Sequence, residues 1–209
     1  MGRRTIVSVC ALAAALLPQG GCGSPVASLR QGTRTPEARS LVSIVSLAEL
    51  REAFDAHADR VRVVALLSPT DEPSRAGAEA VRQGVLRAYP DEELSVILVW
   101  VDMLPRDGRR TAAAAAETFG DQRVVHFHDP KKHAARAFGR ELVPLAVLWD
   151  AYLFYEPGLL WDRRSDRPPP PTTWLHHLDR IEPEHYCSRP TLQYELRHVA
   201  GELLGRSEN

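Results

Sequence analysis

The stretch Leu66–Val81, L-L-S-P-T-D-E-P-S-R-A-G-A-E-A-V, decides how the chain is read. It continues the run Val61–Leu67, V-R-V-V-A-L-L, which is rich in β-branched residues and almost unbroken in apolarity. That is the pattern of a strand covered on both faces of a parallel sheet. Pro73 then suits the first turn of a helix, and Ala76, Ala80, Val81, Val85 and Leu86 keep an apolar stripe as far as Pro90. The spacing predicts a buried strand, a tight turn and a crossover helix. The turn carries Asp71 and Ser74 and no cysteine.

The same alternation continues on both sides. Upstream, Ser46 and Glu49 stand at capping-box spacing, and Leu47, Leu50 and Phe54 recur at helical spacing, which predicts an amphipathic helix. Downstream, Leu94–Val101 reads as a second buried strand, and Asp107 precedes a helix running through Ala112–Ala116 to Gly120. Val124–Phe127 is a short strand, Asp129-Pro130 reads as a cap with a first-position proline, and the following helix ends near Gly139. Leu145–Trp149 and Tyr152–Tyr155, separated by Asp150-Ala151, are expected to form an antiparallel hairpin that Pro157-Gly158 terminates. Four consecutive prolines, Pro168–Pro171, predict an extended surface segment acting as spacer or clamp. Leu192, Leu196, Val199 and Leu203 mark a C-terminal amphipathic helix that should dock on the domain. The order β-α-β-α-β-α-β-β places the chain in the α/β class.

The motif S-P-T-D-E-P-S-R-A-G-A resembles the active turn of thioredoxin-type proteins, S-P-T-C-x-x-C-R-x-G-A, with Asp71 and Ser74 where the two thiols would stand. Val143-Pro144 falls before the expected hairpin, where that family places its cis-proline. Over roughly residues 41–180 the resemblance implies a thioredoxin-like fold: a central mixed sheet, parallel strands plus a C-terminal antiparallel hairpin, flanked by helices. A C-terminal helical extension, 181–209, would follow. The resemblance also implies a cis Pro144 beside a groove that binds a protein or extended peptide by strand addition. The family's chemistry needs a thiolate at a helix N-terminus, where backbone N–H groups and the macrodipole lower its pKa. A carboxylate at 71 is comfortable there and forms no mixed disulfide, and Ser74 cannot resolve one. Peroxiredoxin-like chemistry fails for the same reason.

The first 21 residues have the three-part pattern of an export signal: Arg3 and Arg4, an apolar run Thr5–Leu17, then small residues. The Q-G-G-C ending resembles a bacterial lipoprotein cleavage site, with Cys22 the lipidated first residue of the mature chain. An ordinary secretory signal cut nearby is the alternative. Gly23 in place of Asp gives no inner-membrane retention signal. The expected address is therefore the periplasmic side of the cell envelope, at the outer membrane rather than the inner one in a Gram-negative cell, with the lipid as sole membrane contact. Residues 22–40 are rich in Gly, Ser, Pro, Thr and Arg without apolar period, as in a flexible tether. Formal net charge is −1, and loss of Arg3 and Arg4 takes it to −3, so no basic field favours nucleic acid. Of three cysteines, Cys10 leaves with the signal and Cys22 carries lipid, so Cys187 is the one thiol left to the domain.

Other groups carry weaker signals for chemistry. His126 and His128 alternate along a strand and share a face, and with His133 or Asp129 they are weak candidates for metal ligands. An exposed polar face is the commoner meaning of such a pair. His176, His177 and His185 have no supporting ligand pattern, and Ser68 and Ser74 lack a nucleophile elbow. Trp149, Tyr152, Phe154, Tyr155 and Trp161 read as core aromatics. The expectation is a non-catalytic binding or scaffolding module without cofactor. One alternative is a thiol-disulfide or peroxiredoxin-like enzyme using Cys187 with a partner thiol; another is copper delivery through His126 and His128.

Overall fold

A computed structural model describes residues 41–92, 94–143, 147–178 and 182–206. The expected signal, the tether, Cys22 and Pro144 lie outside the described residues.

Six strands form one sheet. They are β1 (Val42–Ser43), β2 (Val61–Leu67), β3 (Leu94–Val101), β4 (Val124–Asp129), β5 (Ala151–Tyr155) and β6 (Thr173–His176), in the order β1-β4-β3-β2-β5-β6. The first four are parallel; β5 runs antiparallel to β2, and β6 antiparallel to β5. Every residue of β2, β3 and β5 is buried. Continuous apolar runs are what a sheet covered on both faces requires. The α/β class, the mixed sheet, its C-terminal antiparallel pair and the flanking helices are as expected.

Five helices cover the two faces: α1 (Ala48–Asp55), α2 (Glu72–Val81), α3 (Arg109–Glu117), α4 (His133–Leu142) and α5 (Leu192–Leu203). Side-chain alternation divides β2 between them. Val61, Val63, Ala65 and Leu67 join Ala78 and Val81 of α2, Ala112 of α3 and Leu192, Leu196 and Ala200 of α5 in one buried cluster. Val64 and Leu66 join Leu50 and Phe54 of α1 and Ala134, Ala135 and Phe138 of α4 in the other. The C-terminal helix docks through the face its spacing predicted, and each fully buried leucine on it contributes about 1.5–3 kcal/mol.

Several local expectations change. The crossover helix is not α-helical throughout: Arg82–Arg87 forms a π-helical segment directly after α2. The partner of β5 is not 145–149; residues 147–149 carry no strand, and β6 pairs instead, with Tyr152 opposite Leu175. Asp150 sits at φ +53, which turns the chain before β5 without a hairpin loop. The tetraproline segment belongs to the long connection between β5 and β6. Asp107 precedes α3 as expected, with Gly108 between them. Pro130 is not the first residue of α4, which begins at His133; Asp129 still caps that helix, accepting from the N–H groups of His133 at 2.7 Å and Ala135 at 3.1 Å. Ser46 and Glu49 are joined hydroxyl to carboxylate at 3.0 Å, with Leu47 already helical.

Candidate functional site

β2 delivers the turn Ser68–Asp71 to the C-terminal edge of the parallel strands, where open α/β sheets place their ligand crevices. Asp71 is the N-cap of α2 in extended geometry, φ −75° and ψ 127°, and its carboxylate accepts from the Ser74 N–H at 3.0 Å. Pro73 in the first turn has no N–H to leave unpaired. Asp71 is thus an ordinary helix cap.

Ser74, three residues on, faces inward. Ser74 is fully buried, and its hydroxyl donates to Asp150 Oδ1 at 3.2 Å. Burial pushes the Asp150 carboxyl up; His177, the Ser74 hydroxyl and Arg189 oppose that rise, and Asp71 adds to it. Beneath α2, Tyr152 is fully buried and its hydroxyl lies where a Cβ on Gly77 would fall, so position 77 admits no side chain. The Tyr152 ring meets His177 edge-on, with centroids 6.0 Å apart.

A single carboxylate ties the turn to the next loop. Asp107 accepts from Ser68 Oγ at 2.8 Å, Thr70 Oγ1 at 2.6 Å and Thr70 N at 3.1 Å, and from the N–H groups of Met103 at 2.8 Å and Leu104 at 2.7 Å. Burial pushes this carboxyl up, but the bonds from Thr70, Leu104, Ser68 and Met103 outweigh it and hold the group below its ordinary value. Ser68 is therefore a strut between loops rather than a nucleophile.

Cys187 reaches the same side of the sheet from the segment before α5. Its N–H donates to the His176 carbonyl at 2.9 Å, and its own carbonyl meets His177 Nδ1 at 2.5 Å. The thiol is buried against Ser188 and Thr191, and burial raises its pKa. That is the reverse of an activated thiolate.

His126 and His128 do share a face, but each is separately engaged and neither is exposed. Trp100 Nε1–H donates to His126 Nδ1 at 3.3 Å, the two rings stack 10° from parallel, and burial lowers the imidazole to about 4. His128 Nε2 is bonded to Asp102 Oδ1 at 2.9 Å. The Asp129 carboxylate is occupied by α4, and what it bonds in His133 is the backbone N–H. Among the described residues no group of three or more His, Cys, Asp or Glu is arranged to hold a metal. His176 has both ring nitrogens engaged, with the Glu182 carbonyl and the Leu178 N–H.

The sequence pattern assigns no site role to Asp150, Asp107 or Arg62. Arg62 is the lone charge in the β2 run; it is wholly buried over the Phe54 ring and donates to the carbonyls of Leu159 and Glu156 at 2.8 Å each. A charged residue inside an otherwise apolar strand was the available signal. Asp150 and Asp107 gave none, because acidic residues beside strand ends are common in turns. Tyr152, Phe154, Tyr155 and Trp161 are core, as expected, whereas Trp149 is only half-buried.

No protein-family model matches the chain. No curated protein matches it. A solved structure described as "Solution Structure of a Thioredoxin-like Protein in the Oxidized Form" aligns with 72% of this chain and 81% of that one, at 14% identity and a TM-score of 0.45.

Proposed function

We propose that this is an exported, lipid-anchored protein of the cell envelope whose thioredoxin-like domain works as a binding or scaffolding module and not as a thiol enzyme. The observation that carries the reading is the Ser74–Asp150 hydrogen bond: the position that would resolve a disulfide is a buried hydroxyl held by a buried carboxylate. Asp71 beside it is spent on capping α2. The export signal and Cys22 support the address from sequence alone.

The enzyme alternative needs a reactive Cys187, and burial raises that thiol instead of lowering it. Copper delivery needs free imidazoles, and His126 and His128 are held by Trp100 and Asp102.

Purified protein should not accelerate insulin reduction by dithiothreitol above the uncatalysed rate. Turnover at ordinary oxidoreductase rates, abolished by Cys187→Ser, would overturn the non-catalytic reading. Separately, cells fed a labelled fatty acid should label the wild type and not Cys22→Ala. Equal labelling of both sinks the anchor.

A further inference from the structure

A cleft of about 600 Å³ opens between the π-helical segment and the Thr118–Gln122 loop, on the far side of α2 from its N-terminal turn. Arg82, Leu86, Arg87 and Phe119 line it, with Thr118, Gly120, Gln122 and the acidic Asp121 at the loop. Its volume is in the range of small-molecule sites.

The π-helix explains why two arginines share this wall. At about 100° per residue an α-helix would set positions 82 and 87 roughly 140° apart. A π-helix bonds i to i+5 and takes about 4.4 residues per turn, which brings the same pair within roughly 50° of each other. The local geometry therefore sets both residues on one side of the segment, and both line the cleft.

The donors of the cleft are incompletely used. Arg82 pairs with Glu79 and donates to the Thr118 carbonyl through its terminal nitrogens, which are the part of the group open to the cleft, while its Nε is buried away from it with no acceptor. A buried donor left unpaired costs about 1–3 kcal/mol. Arg87 donates to the neutral Gln83 amide oxygen, and its charge helps to hold the Glu79 carboxyl below its ordinary value without a direct hydrogen bond to it among the described residues. Glu79 is shared between Arg82 and Gln83, and Asp121 is bound twice over by Arg123, so both nearby carboxylates are committed. The backbone N–H groups of Gly120, Asp121 and Gln122 donate to no described acceptor. Phe119 and the buried Leu86 supply the apolar part of the lining.

We propose that this cleft binds a small organic anion, its carboxylate or phosphate oxygens taken by Arg82, Arg87 and the loop amides and its apolar body laid against Phe119 and Leu86. The site is independent of the Asp71–Ser74 turn.

The test is an amide-resolved NMR titration of the full chain at neutral pH with phenyl phosphate, benzoate, inorganic phosphate and phenol. Saturable shifts centred on residues 118–122 are expected for phenyl phosphate, benzoate or both, the two arms separating phosphate from carboxylate. Inorganic phosphate and phenol should bind at least five-fold more weakly than the better aromatic anion. Arg87→Gln, at an exposed position, should weaken that anion at least five-fold, and Arg136→Gln on the other face of the sheet should leave it unchanged. Shifts that never saturate, shifts spread over surface arginines, or equal losses in both variants overturn the proposal. Inorganic phosphate binding as tightly as phenyl phosphate overturns the part given to Phe119 and Leu86.

Discussion

Asp71 and Ser74 occupy adjacent exits from one helix N-terminus, and each has found a structural use. Removing the cap in Asp71→Ala leaves the Ser74 N–H without its acceptor, at a cost of about 1 kcal/mol. For a domain of this size the melting temperature should fall by about 2–4 °C, read by calorimetry. A variant that melts with the wild type would show that the cap carries no load. His126 has a sharper signature. Its imidazole ordinarily titrates at 6.5 and is lowered to about 4 by burial. Between those values the unfolded chain binds a proton that the folded chain refuses. The ring's contribution is therefore intact above pH 6.5 and lost as pH falls toward 4, on the order of 3 kcal/mol. Urea titrations across that window should show a steeper acid loss for wild type than for His126→Gln. The difference between the two isolates this ring from Asp129 and Asp150, whose carboxyls, raised by burial, act in the opposite direction. Parallel slopes would mean the ring is solvated in the folded state.

The strands and helices were legible where apolar periodicity was long and uninterrupted. β2, β3, α2 and α5 all fall on the segments whose patterns announced them. The pairing of β5 was not, because Leu145–Trp149 is apolar enough to read as a strand and β6, Thr173–His176, carries only Trp174 and Leu175 as apolar residues. Adjacent β-like runs suggest a hairpin, and only the long-range ladder reveals that the partner enters after the proline segment. The π-helical turn was equally invisible, since its residues keep a helical stripe either way. Its surroundings give a reason for it: a Cβ on Gly84 would fall onto the Gln193 carbonyl oxygen, so α5 approaches the segment backbone to backbone. Tyr89, just beyond, donates to the Arg197 carbonyl at 2.9 Å. Gly84→Ala should push α5 away and destabilise the fold by about 2 kcal/mol or more, although alanine is the better helix former by about 1 kcal/mol. Hydrogen exchange at Leu196 and Ala200 should quicken in that variant, and a gain in stability instead would mean that α5 moves without cost.

Across the molecule, α5 shares a buried cluster with β2, β3 and α2 through Leu192, Leu196 and Ala200, with Cys187 in the same cluster. A chain ended at residue 180 would leave that side of the sheet open to water, and the lost apolar burial is a large part of the 5–15 kcal/mol that holds a typical domain together. Such a truncation should lose its cooperative thermal transition; a sharp transition at the wild-type temperature would show that the helix is dispensable. Composition and periodicity were enough to specify a layered α/β domain, its buried strands and the absence of cysteine from the turn, since those depend on which residues are present and on local spacing. They could not specify that Ser74 faces Asp150, that Asp107 ties two loops together, that Arg62 finds its acceptors at Leu159 and Glu156, or that Arg82 and Arg87 share a cleft. Each of those joins residues far apart in the chain or depends on a local change of helical pitch, and such relations exist only once the sheet has set its register and the helices have been laid across it.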